Sequence, residues 1–192
     1  MNAALQIRDA VLADAQSIAR IQVQGWNTAY ASFLPDRLPA SYSIEVRHAE
    51  WVQRLAAPAP GTVYLIALEG ESAVGICAGG PPLRDETIVE GHTNDYTAQV
   101  YGLYVAPERY GAGIGRRLLG HLAGRLSDLG HGNLCLWAFE LNPYRRFYDR
   151  LDGRIVARAE WSLGDVTIAE LAYGWPDVAA LIEACSKDGK SE

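Results

Sequence analysis

Gly111, Gly113 and Gly115 alternate through the segment LYVAPERYGAGIGRRLL, residues 103–119, where a strand-like run hands over to a helix-like one. Each glycine inside a first helical turn costs about 0.8–1 kcal/mol relative to alanine. Such a cluster suits a place where something must approach the backbone closely, and a phosphate would do so. The first N–H groups of a helix have no intrahelical partners and sit at the positive end of its dipole. Two other phosphate loops fail on spacing. A dinucleotide fingerprint opening at Gly111 needs glycine at 116, and a P-loop needs glycine at 116 followed by lysine, where Arg116 and Arg117 stand. A flexible loop or a tight helix–sheet contact is the structural alternative.

Holding such a loop takes a sheet and a helix behind it, and the pattern along the chain supplies both. A short strand is predicted near residues 5–8, then a helix from about Asp14 to Tyr30, with Gln22, Trp26 and Tyr30 on one row at four-residue spacing. Pro35 to Pro39 breaks the chain, and a second helix spans about 43–56, ended by Pro58, Pro60 and Gly61. The runs VYLIAL (63–68) and AVGICAG (73–79) flank Glu69, Gly70 and Glu71 and read as an antiparallel hairpin. Residues 81–97 have two prolines and no clean periodicity, the mark of a long loop over a binding site.

A strand at 98–105 then leads into the glycine turn and a helix from about 113 to 129, with Ile114, Leu118, Leu122 and Leu126 as a four-residue ladder and Gly130 as its stop. The run LCLWAF (134–139) reads as a buried strand, followed by Asn142 as N-cap and Pro143 at the first helical position. That helix carries Tyr144, Phe147, Tyr148 and Leu151. Strands near 154–162 and 165–173 follow, and Trp175 and Pro176 introduce a terminal helix at about 177–185.

With those elements in order, YGAGIG resembles the acetyl-CoA pyrophosphate loop of GNAT acetyltransferases, usually Arg/Gln-x-x-Gly-x-Gly/Ala, with Tyr110 where that family has Arg or Gln. The segment LWAFELNPYRRFYDRLDG, 136–153, resembles the family's second signature, a strand followed by an Asn-led helix ending in Phe-Tyr, with Asp152 where glycine is common. The opening IRDAVLADAQSIARIQVQGWNTAY and the closing ELAYGWPDVAALIEA are similar to a bacterial group of the same family, so the resemblance spans nearly the whole chain. It implies an α/β GNAT fold: a mixed, mostly antiparallel sheet of about six to seven strands with about four helices. Residues 1–176 would form one domain, with 177–192 a short terminal helix and flexible tail.

The resemblance also implies an N-acetyltransferase that takes acetyl-CoA as co-substrate, needs no metal, and acts on a primary amine of a small molecule. Amides of Gly111, Ala112, Gly113, Ile114 and Gly115, with Arg116 nearby, would hold the diphosphate. Asn142 would contact the pantetheine arm or order the helix start. The central strands would splay so that the arm hydrogen-bonds to Leu103 and Val105 as an added strand does. An N–H of Leu103 or Tyr104 would polarise the thioester carbonyl. Tyr148 would protonate the departing thiolate, which a phenol with a pKa near 10 can do. Singly, Tyr148 also reads as a core residue beside Phe147, and Asn142 as a plain cap. Trp26 and Tyr30 would line the acceptor pocket or pack in the core. Relatives commonly carry a glutamate at the position of Gln99, and an amide is no base. Water, a carboxylate of the 81–97 loop, or Glu140 would then take the amine's proton. A non-catalytic acyl-CoA sensor and a module for another nucleotide phosphate are the competing readings.

Composition narrows the partners. The 192 residues include 17 Lys plus Arg and 23 Asp plus Glu, a formal charge of −6, which disfavours a broad nucleic-acid footprint. Cys77, Cys135 and Cys185 are too few and too scattered for a disulfide framework or a zinc site. With no apolar stretch of signal or membrane-spanning length, a cytoplasmic protein is expected, with no membrane partner; a homodimer stays open. The 81–97 loop holds Asp85, Glu86, Glu90 and Asp95 against Arg84, which favours a cationic acceptor.

Overall fold

A computed structural model describes residues 4–30, 33, 42–83, 88–163 and 166–187. The elements run β1 (Leu5–Asp9), α1 (Ala15–Tyr30), α2 (Ile44–Ala56), β2 (Val63–Glu69), β3 (Ser72–Gly80), β4 (Ile88–Gly91) and β5 (Gln99–Val105). They continue with α3 (Ile114–Asp128), β6 (Leu134–Phe139), α4 (Arg146–Asp149), β7 (Arg154–Leu163), β8 (Val166–Trp175) and α5 (Val178–Ser186). The strands form one eight-stranded sheet in the order β1-β2-β3-β5-β6-β8-β7-β4. Every neighbouring pair is antiparallel except β5 and β6. The GNAT-like mixed sheet is there, with eight strands instead of six to seven and five α-helices among the described residues instead of four.

Both faces are covered, by alternation along β3 from Gly75 onward, with Val74 at the register shift between β2 and β3. Val74 and Cys77 join the core under α3 and α5, with Leu118, Leu122, Leu126, Leu181 and Tyr173. Ile76 and Ala78 turn to the other face and pack under α1 and α2 with Ile18, Ile21 and Trp51. A buried polar link fixes α2 on α1: the Trp51 Nε1–H donates to Gln22 Oε1 at 2.7 Å, and Gln22 Nε2 donates to the Tyr42 hydroxyl at 3.0 Å. On the opposite face α3 lies unusually close to β3, since a Cβ on Gly75 would stand 2.8 Å from Leu118 Cδ1. That close approach carries the start of α3, and with it the glycine loop, to the end of β5.

Two sequence expectations are corrected. The 81–97 stretch contains β4, which pairs with β7 at the sheet edge, three strands from β6. At about 4.8 Å per strand that is roughly 14 Å from the central strands, so Glu90 sits on an outer edge and does not overhang them. Asp85 and Glu86 lie outside the described residues, as do Pro35 and Pro39. The helix expected from Pro143 onward is only the four residues of α4; Asn142 closes a turn ahead of it by accepting the Tyr144 N–H on Oδ1 at 2.9 Å. Trp175 ends β8, and the terminal helix follows where expected, with Asp177 as its N-cap accepting the Ala179 N–H at 2.9 Å. That helix also belongs to the main core, through Val178, Leu181 and Cys185.

Candidate functional site

β5 and β6 are hydrogen-bonded partners only at Gln99↔Cys135 and Val100↔Leu136. Beyond that point β5 passes from buried to half-exposed residues, Tyr101 to Val105, because its β6 neighbour has diverged. The gap opens a cleft of about 1130 Å³ that runs from Tyr30 and Asn142, between the two strands, to the glycine loop at the start of α3.

Backbone direction along β5 is set by its other neighbour. The Ala106 N–H donates to Val74 O at 2.9 Å, and Tyr104 lies opposite Ile76. Because N–H and C=O alternate sides along a strand, the Tyr104 backbone turns to β3 while Leu103 and Val105 turn theirs to the gap. Leu103 and Val105 can therefore pair with an extended ligand in the cleft. Tyr104 lines it with its ring.

At the far end, Gly111 and Gly113 have φ of 81° and 75°, the left-handed region that glycine enters without strain, and a Cβ on either would meet nothing within 4 Å. Gly113 caps α3 without any side-chain hydrogen bond. In this turn the Ala112 N–H is used, by Arg109 O at 3.3 Å. Among the described residues those of Gly111, Gly113, Ile114 and Gly115 have no protein acceptor. An open concavity lined by unused donors at a helix start fits a diphosphate. Side chains add charge of the same sign: Arg109, Arg116, Arg146, Arg150 and Lys187 line the cleft against Asp152. In a chain of net charge −6, that segregation marks the cleft for a polyanion.

Tyr148, on α4, lines the middle of the cleft, its ring 5.3 Å from Phe147 and 5.2 Å from Tyr173. Burial, and then the neighbouring Tyr104, push its phenol above the ordinary tyrosine range. Tyr148 thus stays protonated and available as a donor well into alkaline solution. Asn142 is buried, and its Nδ2 donates to the Tyr30 hydroxyl at 3.3 Å. Tyr30 lines the cleft; Trp26 does not, lying stacked on Tyr42 at 4.2 Å and edge-on to Tyr30 at 4.7 Å. Gln99 is 8% exposed and away from the cleft, its Oε1 accepting the Leu83 N–H at 2.9 Å. Glu140 is held by Arg158 in a two-pronged pair at 2.9 and 3.0 Å. Among the described residues no group of three or more His, Cys, Asp or Glu is arranged to hold a metal.

Sequence reading brought Leu103, Val105, the glycine loop, Arg116, Asn142, Tyr148 and Tyr30 to this cleft and left Arg146 and Arg150 unremarked. Their four-residue spacing in NPYRRFYDR was the signal. Asp152, at the position where glycine is common in the resembling family, has φ 59°, and is the single non-glycine residue in that region among those described. Asp tolerates it better than most residues.

Diverging parallel strands, a cradle of free amides at a helix start and a phenol between them define an acyltransferase-type site on a GNAT fold. The chain belongs to the GNAT acetyltransferase family: the acetyltransferase (GNAT) domain model matches residues 60–152, and the similarity extends to whole proteins. The uncharacterized N-acetyltransferase YuaI of Bacillus subtilis (strain 168) is 30% identical over 175 residues, 91% of this chain and 95% of that protein. Among solved structures, the PaiA N-acetyltransferase of Thermoplasma acidophilum in complex with coenzyme A superposes with a TM-score of 0.62 at 18% identity, covering 87% of this chain and 98% of that one. YncA of Salmonella typhimurium, solved with its cofactor acetyl-CoA, gives 0.63 at 20% identity, covering 90% and 93%. No helix among the described residues is long and apolar enough to cross a membrane.

Proposed function

We propose that this chain is an acetyl-CoA-dependent N-acetyltransferase that passes the acetyl group directly to a primary amine of a small-molecule acceptor. The observation that carries this reading is the single cleft joining the open amide cradle at Gly111–Gly115 to the Tyr148 hydroxyl through the unpaired edge of β5. The coenzyme A and acetyl-CoA complexes of PaiA and YncA support the choice of donor.

Acetyl-CoA supplies the activated acetyl thioester. The glycine-loop amides take its diphosphate, Leu103 and Val105 align the arm along β5, and the Leu103 N–H polarises the carbonyl. The neutral amine nitrogen bonds to the acetyl carbon as the carbon–sulfur bond breaks, Tyr148 gives its proton to the sulfur, and the amine's surplus proton leaves to water. Tyr30, positioned by Asn142, borders the acceptor's approach. Since Gln99 faces Leu83 and Glu140 faces Arg158, neither offers the base, and the reaction draws on amine already neutral in solution.

Thiol release from acetyl-CoA, followed with a chromogenic thiol reagent across a panel of primary amines, tests this. Acceptor-dependent release above the amine-free rate is expected. Tight donor binding with no release for any amine, peptide N-termini included, would replace the enzyme with a binding protein.

A further inference from the structure

The cleft passes through the sheet from one face to the other. Leu103, Val105, Leu136 and Tyr148 pack with the core under α3, whereas Tyr104 packs with the core under α1 and α2. Trp137 and Phe139 share a face by strand alternation, and Phe139 packs with Trp26 and Tyr30 of α1. The glycine loop and Tyr148 thus lie on the α3 side, which leaves the α1 side to the acceptor. That side is walled by Gly25, Ala29 and Tyr30 of α1, Tyr104 of β5 and Trp137 of β6. A Cβ on Gly25 would stand 3.0 Å from Tyr104 Cδ1, so the ring is held against the helix, and Ala29, one turn further on, leaves the space that a larger residue would fill. The two hydroxyls of this wall are already engaged: Tyr30 accepts from Asn142 Nδ2 at 3.3 Å, and Tyr104 is hydrogen-bonded to Tyr42. The Trp137 indole N–H only donates and cannot hold an ammonium. Among the described residues, the charged ones that line the cleft come from around the glycine loop, from α4 and the turn after it, and from the end of α5; none comes from α1, β5 or β6. Glu90 and Asp95 do not line it, nor does Glu170, which lies opposite Phe139 on β8.

We propose that the opening on the α1 side admits an amine carried on a flat apolar body, of the arylalkylamine class, and that Ala29 sets how large that body can be. This inference rests on acetyl-CoA being the donor in the same cleft. The second ammonium of a diamine, or the hydroxyls of an amino sugar, would exchange water for a wall without a carboxylate and with its hydroxyls already engaged, which costs free energy. An aromatic body instead withdraws apolar surface from water and meets Tyr30, Tyr104 and Trp137 in the edge-on or offset arrangements that rings prefer. The reacting nitrogen needs no counter-charge there, since it attacks in its neutral form.

Thiol release from acetyl-CoA with phenethylamine, putrescine, spermidine and glucosamine, each rate expressed per neutral amine, on the wild type and on Ala29→Leu, tests this. The wild type is expected to use phenethylamine with a kcat/KM about ten- to a hundred-fold above the other three, the range for burying an apolar ring. Ala29→Leu should raise the phenethylamine KM by about tenfold or more, the scale on which a filled pocket discriminates, with coenzyme A affinity unchanged by calorimetry, which also reports that the variant is folded. A wild type that prefers glucosamine or a polyamine, as it would if the rings held a cation, overturns the proposal. So does an Ala29→Leu variant that binds coenzyme A normally and keeps its phenethylamine KM. If Ala29→Leu loses coenzyme A as well, the wild-type ranking decides alone. Release with no amine at all defeats the transferase reading itself and takes this proposal with it.

Discussion

At the scale of single residues, the proposed chemistry divides between a proton donor with an elevated pKa and the absence of a dedicated base. Tyr148→Phe should lower the turnover number by roughly ten- to a thousand-fold with little change in donor affinity, because loss of a general acid typically costs such factors. Wild-type turnover in that variant would reduce Tyr148 to a packing residue against Phe147 and Tyr173. The pH dependence follows from two signs. Burial raises the Tyr148 pKa, so the donor form persists as pH rises and no falling limb is expected below about pH 10, the unperturbed tyrosine value. An alkylamine with a conjugate-acid pKa near 10.4 is mostly charged at pH 7, so the wild-type rate should climb about tenfold per pH unit towards pH 9. Gln99→Glu should leave that slope unchanged, since position 99 faces Leu83 and not the cleft. A flattened profile with a faster neutral rate in the variant would show that side chain 99 reaches the acceptor after all.

At the scale of elements, what could be read from the residues was whatever local chemistry enforces. The leucine ladder of α3, its glycine start, the β2–β3 hairpin with Gly70 at φ 61° and the β5 and β6 strands all lie within a residue or two of their expected places. β4 was hidden because it is four residues on an outer edge, paired only with a strand some seventy positions later. The shortness of α4 was hidden too, since Asn142 and Pro143 signal a helix start whether a turn or a long helix follows. Contact between α3 and α5 is likewise a tertiary fact, and it makes two glycines of one helix behave oppositely. A Cβ on Gly120 would stand 2.7 Å from the Cys185 Cβ, whereas one on Gly124 meets nothing within 4 Å. Gly124→Ala should therefore stabilise the protein by about 0.4–1 kcal/mol, through helix propensity and a less disordered unfolded state. Gly120→Ala gains the same propensity but forces α5 outward, and a net loss of about 1–3 kcal/mol is expected. Denaturant midpoints at unchanged slope measure both; a stabilised Gly120→Ala would mean that α5 does not sit on α3.

For the whole molecule, the question is whether the chain up to residue 176 is a complete domain, as the sequence pattern suggested, or whether α5 is part of what folds. The pattern had a sound basis: Trp175-Pro176 breaks the chain, and the residues after Ser186 are small or charged. In the structure α5 packs on the main core. Val178, Leu181 and Cys185 are 4%, 1% and 6% exposed and sit in the same core as Leu118, Leu122 and Tyr173, while Ala184 and Lys187 border the cleft. Burial of a large aliphatic side chain contributes about 1.5–3 kcal/mol. Removing Val178, Leu181 and the half-buried Ile182 thus forfeits several kcal/mol, against a total stability of about 5–15 for an ordinary domain. It also uncovers the α3 ladder that holds the glycine loop in place. The chain ending at residue 176 is therefore expected to be unfolded or aggregated at 25 °C, or to melt far below the full-length protein. A chain ending at residue 187 should match full length in melting temperature and in coenzyme A affinity. Thermal unfolding of the three proteins by circular dichroism decides the matter. A cooperative, undiminished melt for the shortest would establish that α5 only rests on a domain complete without it.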